Sequence, residues 1–272
     1  MPASTTRATM PVVASSSSQA GRGSKSRPWG VCWRCWLFMA RPAEAWEFRE
    51  NEKSGGPDDH RRRMAVMRIG LFGGSFDPVH LGHLIAAEAA REQAGLDRVL
   101  FMPACVPPHK QSTRLASAAD RLTMLELAVG GNDAFEVSAA EIDRGGVSYT
   151  VETVEWLHRE RSRDTLLLLL GPDALAEFPR WHRPERIVEL AELLPVERDI
   201  LDDVASAADA SLAELLGEAP LGRLIERRVR STAIGIRSTE LRADIAAGRS
   251  IRYRVPAAVE AFIHSHGLYR PE

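Results

Sequence analysis

Cysteine is scarce in this chain of 272 residues, which has only Cys32, Cys35 and Cys105. An odd and small number of cysteines excludes a disulfide framework and favours a reducing compartment, so we expect a cytoplasmic protein. Cys32 and Cys35 form a single C-x-x-C pair. The sequence has no second pair to complete a zinc site, which leaves metal or redox chemistry there as the minor alternative.

Long apolar runs and a strong charge of one sign are also missing. The longest apolar run in the body, Leu166–Leu170, is far too short to span a bilayer, and the apolar stretch Trp29–Ala40 contains Arg34. The formal net charge of −2 predicts neither a nucleic-acid partner nor a membrane partner. Residues 1–66 are basic and the remainder is acidic, so phosphates must be bound by local groups.

The first 66 residues differ in composition from the rest of the chain. They hold a run of four serines, four of the six tryptophans and the basic run Arg61–Arg63, without a helix or strand period. This composition is typical of a linker. We predict that residues 1–66 are a disordered extension, or translated sequence upstream of a start at Met64 or Met67. A targeting or partner-binding arm is the alternative. The catalytic domain is then 67–272.

From Met67 onward, short apolar strands alternate with amphipathic helices. The predicted strands are Ile69–Phe72, Val99–Met102, Phe135–Val137, Thr165–Leu170, Leu194–Val196 and Leu224–Val229. The predicted helices are Leu84–Ala94, Asp120–Val129, Val151–Arg161, Pro184–Leu193, Ala210–Leu216, Ser238–Ala247 and Pro256–Ser265. Such alternation predicts an α/β fold, in which a doubly wound, Rossmann-like parallel sheet carries helices on both faces. Ligands of such sheets bind at the carboxyl ends of the strands.

The first predicted strand runs into a glycine pair and then two histidines. Gly73 and Gly74 allow a ligand to approach the backbone closely, because they have no Cβ atom. His80 and His83 are three residues apart at a helix start, so we expect both imidazoles to face one phosphate-bearing ligand. Structural histidines or a zinc pair are the alternatives. The segment matches neither the P-loop nor the dinucleotide-binding glycine motif.

Polar or charged residues also follow later strands and open later helices. In the segment after the second strand, two prolines stiffen the loop before His109 and Lys110, unless this is only a solvated surface loop. Asp173 follows the leucine strand and is either a nucleotide partner or a first-turn helix residue. Ser238 and Thr239 open a helix, so their hydroxyl and N–H groups are candidate anion ligands.

Several segments together resemble one enzyme family. Gly73–Leu84, with the sequence GGSFDPVHLGHL, resembles the H-x-G-H nucleotidyltransferases, and in this full form it is similar to the bacterial nicotinate-nucleotide adenylyltransferases. The segments PPHK, SYT, GPD and STELR, together with Trp181, extend the resemblance over about residues 67–272. The departures are Cys105, where many members have Asn, Arg237, where they have Ser, and residues 193–229, which do not align.

The resemblance implies adenylyl transfer from ATP to nicotinate mononucleotide, giving deamido-NAD and pyrophosphate, with Mg²⁺ carried by ATP and no metal site of the protein's own. The implied catalytic residues are His80, His83, Lys110 and Arg242. The implied ATP contacts are Gly73, Gly74, Ser75, Phe76, His80, His83, Gly171, Asp173, Ser238, Thr239 and Arg242. The implied mononucleotide contacts are Ser75, Cys105, His109, Lys110, Tyr149, Thr150, Asp173 and Trp181.

Three alternatives to this assignment stay open at the level of sequence. Two are other H-x-G-H transferases, a pantetheine-phosphate adenylyltransferase or a cytidylyltransferase. The third is a nucleotide-binding module without catalysis. The preference for nicotinate over nicotinamide mononucleotide follows only from the resemblance, and an oligomer is compatible with the sequence.

Overall fold

The computed structural model describes residues 66–108, 115–197 and 210–271. These ranges all belong to one unit of the chain, Gly56–Glu272. The extension assigned to residues 1–66 lies outside them except for Val66, and so do His109 and Lys110. Within these three ranges, no helix is long and apolar enough to cross a membrane.

Six parallel strands form a single sheet. The strands are β1 (Arg68–Gly74), β2 (Arg98–Pro103), β3 (Phe135–Val137), β4 (Thr165–Leu170), β5 (Glu192–Glu197) and β6 (Val229–Arg230). Their order across the sheet is β3-β2-β1-β4-β5-β6, and each neighbouring pair is parallel. The chain therefore winds outward in one direction from β1 and in the other from β4. A crevice is expected where these two strands meet, beyond their carboxyl ends.

Ten α-helices connect the strands or follow them in the described ranges. They are α1 (Leu81–Gln93), α2 (Ala118–Val129), α3 (Ala140–Arg144), α4 (Thr150–Glu160), α5 (Pro172–Glu177), α6 (Pro184–Leu190), α7 (Ala210–Leu216), α8 (Glu218–Glu226), α9 (Ser238–Ala246) and α10 (Ala257–Ser265). A short 3₁₀ turn, Phe178–Arg180, joins α5 to the segment before α6.

Apolar side chains cover both faces of the sheet. Along β4, Leu167 and Leu169 pack into one buried cluster with α1, α2, α9 and α10. Leu166, Leu168 and Leu170 point the other way, into a second cluster with α4 to α8. Because successive side chains of a strand alternate between its faces, a continuous leucine run is suited to a strand covered on both sides. The predicted doubly wound α/β fold is confirmed.

Several predicted boundaries need correction. The predicted strand Leu224–Val229 is wrong: α8 runs to Glu226, and only Val229–Arg230 pairs with β5. The predicted helix Pro184–Leu193 ends at Leu190, because residues 192–195 pair in register with β4. In the first case Leu221, Leu224 and Ile225 have helical spacing and pack together on the sheet. In the predicted helix Pro184–Leu193, sheet pairing of residues 192–195 overrides the helical period of the sequence.

The other differences are small. Helix α1 begins at Leu81, three residues before the predicted Leu84. The short helices α3 and α5 and the helix α8 were not predicted. Helix α3 and helix α5 have five and six residues, too few for a periodic pattern to register in the sequence.

Candidate active site

A cleft of about 540 Å³ opens beyond the carboxyl ends of β1, β2 and β4. Its walls are formed mainly by the loop after β1, the loop after β2 and the first turn of α5. This is the point at which the strand order changes direction, where doubly wound sheets bind their ligands. The fold therefore brings together at one edge segments that are about 100 residues apart in the sequence.

Nine of the predicted site residues line this cleft. They are Gly73, Gly74, Ser75, Phe76, His83, Thr150, Gly171, Asp173 and Trp181. Tyr149 lines a neighbouring cavity of about 360 Å³, which shares Thr150 and Trp181 with the cleft. The cleft also contains Glu141 and Ser148, which the sequence did not place in the nucleotide site.

Five predicted residues of the described ranges line neither the cleft nor the neighbouring cavity: His80, Cys105, Ser238, Thr239 and Arg242. Two of these, Ser238 and Arg242, instead hold the loop that leads into α1. Ser238 donates its hydroxyl to the carbonyl oxygen of Pro78 at 3.0 Å, and Arg242 donates Nη1 to the carbonyl oxygen of Asp77 at 2.7 Å. Cys105 is half-buried, and its backbone N–H donates to Ser148 Oγ at 2.9 Å.

The two histidines have different places, contrary to the expectation that both face one ligand. Their rings are stacked with centroids 3.7 Å apart, but His80 is buried beneath while His83 lines the cleft. The backbone N–H of His80 donates to Nδ1 of His83 at 3.2 Å. Because Nδ1 of His83 accepts this bond, a neutral His83 carries its proton on Nε2 and offers the cleft a donor.

Phe76 shapes the floor beneath His83. Its backbone lies in the left-handed region at φ 47, which is uncommon for a residue other than glycine. Its buried ring approaches the His83 ring edge-on with centroids 5.1 Å apart. A Cβ atom at Gly74 would lie 3.2 Å from this ring, so a larger residue there would require the ring to shift by a few tenths of an ångström. The glycine pair thus makes room for a protein side chain as well as for a ligand.

Asp77, the residue after Phe76, is fully buried and holds the loop in place. Its Oδ1 accepts from the hydroxyl of Tyr269 at 2.7 Å and from the backbone N–H of Ala116 at 3.1 Å. Nη1 of Arg242 lies 3.5 Å from its Oδ2. Burial and the neighbouring Asp77 carboxylate both raise the pKa of Tyr269, which therefore stays a neutral donor. Asp77 is a structural anchor, with no exposure to the cleft.

Glu141 is a buried carboxyl group in the wall of the cleft. Burial raises the pKa of Glu141, and hydrogen bonds from Thr153 and Ser148 act in the opposite direction. The Ser148 hydroxyl in turn accepts from the backbone N–H of Cys105. Glu141 therefore connects α3 and α4 with the loop after β2.

Thr150 lines the cleft at the start of a helix. It is the first residue of α4, with Tyr149 at the N-cap position and no side-chain cap. Asp173 does lie in the first turn of α5, and it is exposed at the mouth of the cleft. No group of three or more His, Cys, Asp or Glu that could hold a metal ion occurs in the parts of the chain that the structure describes.

Comparisons with known sequences identify the family of this chain. The family model described as cytidylyltransferase-like matches residues 71–244. A protein of Salinibacter ruber, named a probable nicotinate-nucleotide adenylyltransferase, is 43% identical over 205 residues, which cover 75% of this chain and 99% of the relative. A protein of the same name from Thermus thermophilus is 46% identical over 204 residues, covering 75% of this chain and all of the relative. The chain belongs to the nicotinate-nucleotide adenylyltransferase family.

Solved structures support the fold of this adenylyltransferase family member. The nicotinic acid mononucleotide adenylyltransferase of Plasmodium falciparum, solved in complex with NaAD, superposes with a TM-score of 0.58 at 12% identity. The match covers 75% of this chain and 97% of the solved one. At such low identity the likeness concerns the backbone alone, and it agrees with the parallel sheet order described above.

Three residues that hold the loops of the cleft were not among the predicted site residues: Arg121, which donates to the carbonyl oxygens of Ser75 and Ala104, Asp77, and Tyr269. Arg121 could have been recognised, because it shares a helix face with the buried Met124 and Leu125. A charged residue on an apolar face is unusual enough to require a partner. Tyr269 carries no such local signal, since it contacts Asp77 across 192 positions of the sequence.

Proposed function

We propose that this chain catalyses adenylyl transfer from ATP to nicotinate mononucleotide, forming deamido-NAD and pyrophosphate, a step of NAD biosynthesis. The observation that carries the proposal is the 43–46% identity, over almost their whole length, to relatives that bear this activity as their name. The cleft at the switch point of the sheet, with His83 in its wall, supplies a place for the reaction. The small number of cysteines supports a cytoplasmic setting.

In the proposed reaction, the mononucleotide phosphate attacks the α-phosphorus of ATP in line, and pyrophosphate leaves. Such transfers need positioning and charge stabilisation and no covalent intermediate. Nε2–H of His83 is the donor that we assign to the triphosphate, because Nδ1 is held as an acceptor by the backbone of His80. Gly73 lines the cleft with open space where a Cβ atom would stand, which suits a phosphate chain lying against the backbone.

We place the pyridine mononucleotide toward Thr150 and Trp181, where the cleft and the neighbouring cavity meet. The indole of Trp181 offers a flat surface for an aromatic base, and Tyr149 lines the adjoining wall. His109 and Lys110 lie outside the described residues, and we propose them as phosphate ligands of the mononucleotide on the strength of the sequence resemblance.

We propose that Mg²⁺ enters the site as the complex with ATP. The described residues offer no cluster of ligands for a resident metal, whereas Asp173 presents an exposed carboxylate in the cleft. Mg²⁺ commonly keeps several waters and is held by one or two carboxylates together with substrate phosphates. Its charge, when bound, would neutralise the triphosphate. Removing Mg²⁺ with a chelator should therefore abolish turnover, and adding Mg²⁺ back should restore it.

A pyrophosphate-release assay with a panel of substrates tests the proposal. ATP would be paired with nicotinate mononucleotide, nicotinamide mononucleotide or phosphopantetheine, and CTP would replace ATP in a parallel set. We expect release with ATP and the two pyridine mononucleotides, and faster release with the nicotinate form. Release only with phosphopantetheine or only with CTP would assign the chain to another transferase activity. If no pyrophosphate were released with any of these acceptors, the chain would be a nucleotide-binding module without catalysis.

His83→Ala tests the assignment of the donor. Removal of one preorganised donor to a transition-state oxyanion costs about 10²–10³-fold in kcat, and we expect a loss of that size. His158→Ala is the matched control, because His158 is an exposed histidine on α4, away from the cleft. If His83→Ala turned over like the control, His83 would have no role in charge stabilisation.

A further inference from the structure

Arg121 on α2 is almost completely buried, with 1% of its surface exposed, and it does not line the cleft. Its guanidinium group donates to four backbone carbonyl oxygens. Nη1 donates to Ser75 at 2.9 Å and Ala104 at 2.7 Å, Nη2 donates to Cys105 at 2.9 Å, and Nε donates to Ala116 at 3.1 Å. A single charged side chain thus holds backbone from three separate segments.

These carbonyl oxygens belong to the loops that form the cleft. Ser75 follows β1 and Ala104 follows β2, and both line the cleft. Ala116 comes just before α2 and also donates its N–H to Asp77. Burial lowers the pKa of Arg121, whereas the charge of Asp77 raises it. Because a guanidinium group keeps its proton in proteins, Arg121 remains a cation beneath the two loops.

We propose that Arg121 is a positioning residue for adenylyl transfer, which fixes the loop after β1 relative to the loop after β2. This inference rests on the proposed function. The β1 loop carries Ser75 and leads to His83, and the β2 loop forms the adjoining wall of the cleft. The spacing between these loops sets how a donor and an acceptor nucleotide meet. In-line transfer is sensitive to that spacing, since a misplacement of about 1 Å can cost about 10²-fold in rate.

The peptide bonds extend this influence beyond the direct contacts of Arg121. A peptide group is planar and trans, so a carbonyl held by Arg121 points the next N–H in the opposite direction. The carbonyl of Ala104 is held in this way, and the N–H of Cys105 donates to Ser148 Oγ on the cleft side. Ser148 also hydrogen-bonds with Glu141. One network therefore runs from the β1 loop, through Arg121 and the β2 loop, to α3.

A lysine cannot reproduce this arrangement. Its ammonium group is a compact point charge with three donors, whereas the planar fork of arginine reaches carbonyls in different directions at once. Arg121→Lys should therefore keep the buried charge but hold the two loops less firmly relative to each other. Arg121→Met keeps an apolar stem of similar length and loses both the charge and all four hydrogen bonds.

The experiment compares Arg121→Lys and Arg121→Met with Leu125→Ala. Leu125 is fully buried on the same helix, so its truncation destabilises the domain without removing a hydrogen bond to either loop. Each full-length variant would be assayed at a temperature at which circular dichroism shows it to be folded. We expect kcat to fall about 10²-fold for Arg121→Met and less for Arg121→Lys, while Leu125→Ala keeps the wild-type kcat.

Hydrogen exchange of the substrate-free proteins gives a second readout that does not depend on turnover. The backbone amides of Ser75, Phe76, Asp77, Ala104, Cys105 and Val106 should exchange faster in the Arg121 variants than in Leu125→Ala. If Arg121→Met does not fold, the comparison is made with Arg121→Lys. Equal exchange in these segments, or equal kcat in the three variants, would overturn the positioning role. If the wild type transferred no adenylyl group, the proposed function would fail, and the exchange data would still decide whether Arg121 orders the loops.

Discussion

The hydroxyl of Tyr269 donates a hydrogen bond to Oδ1 of Asp77 at 2.7 Å, across 192 positions of the sequence. Asp77 belongs to the loop that joins β1 to His83, and the loop has three more ties to late parts of the chain, the first being the hydrogen bond from Arg242 to the carbonyl oxygen of Asp77. Ser238 Oγ donates to the carbonyl of Pro78, and Leu81 N–H donates to the carbonyl of Arg254 at 3.0 Å. The β1 loop is therefore held by segments that follow the sheet in sequence.

Tyr269→Phe should destabilise the fold. The change removes a donor to a carboxylate that is fully buried, and leaving such a group short of a partner costs about 1–3 kcal/mol. We expect a decrease of that size in the free energy of unfolding, measured by urea denaturation. Tyr253→Phe is the control, because Tyr253 is 85% exposed and should leave the free energy unchanged. Equal stability of the two variants would mean that the hydrogen bond contributes nothing net.

The buried carboxyl of Glu141 should make stability depend on pH. Burial raises the pKa of Glu141 above its ordinary value of 4.5, so the folded state binds the proton more tightly than the unfolded state does. Between the ordinary and the raised pKa, the folded state holds more protons, and the free energy of unfolding must fall as pH rises. This contribution is therefore present at low pH and lost as pH increases through the raised pKa.

Glu141→Gln tests this dependence, because glutamine stays neutral at every pH. We expect the wild type to lose stability relative to Glu141→Gln as pH rises from about 4.5, in urea titrations at several pH values. Thr153→Val removes the hydroxyl donor that lowers the pKa of Glu141, so it should move this loss to higher pH. A stability difference that is constant with pH would contradict the assigned pKa shift.

The fold was predictable where one local pattern implied one structure. The leucine run of β4 is apolar on both faces, and the sheet buries it on both faces. The stretch around Leu224 was ambiguous, because a short apolar run suits a helix or a strand equally well. There the outcome depends on tertiary packing: Leu221 and Ile225 meet other helices on the sheet, and only Val229–Arg230 reaches β5.

The site residues were also predictable only where a local motif identifies them. Gly74, His83 and Trp181 stand in motifs that can be recognised from adjacent residues, and the structure places them in the cleft. His80 belongs to the same motif, but a three-residue spacing cannot tell which ring lies beneath the other. Arg121 and Tyr269 act on the cleft through contacts between distant segments. Only the packing of the complete sheet brings them there.

Trp181 should determine the affinity for the mononucleotide. Stacking of a base on an aromatic side chain is worth about 1–3 kcal/mol, so Trp181→Ala should raise the KM for nicotinate mononucleotide about fivefold or more. The KM for ATP and the kcat should change little, since Trp181 lies on the side of the neighbouring cavity. Trp156→Phe is the control, because Trp156 packs into the core away from the cleft. A rise in the KM for ATP alone would reverse the assignment of the two subsites.

Gly82→Ala should disturb the stacked histidines without unfolding the domain. A Cβ atom at residue 82 would lie 3.0 Å from Nδ1 and 3.1 Å from Cε1 of His80, so the His80 ring must shift by a few tenths of an ångström. Because His80 supports His83 by stacking, His83 should shift with it. We expect kcat to fall about tenfold, within the cost known for small misplacements, and stability to change by less than about 1 kcal/mol.

Gly222→Ala is the matched control for this prediction. Gly222 is also a helical glycine, in α8, and a Cβ atom there meets nothing within 4 Å. Alanine at that position should stabilise the protein by roughly 0.5–1 kcal/mol and leave kcat unchanged. Steady-state kinetics and urea denaturation of both variants separate the two effects. If Gly82→Ala kept the wild-type kcat, a shift of the His80 ring would not disturb the donor. The packing of His80 against His83 would then not control the position of Nε2 of His83.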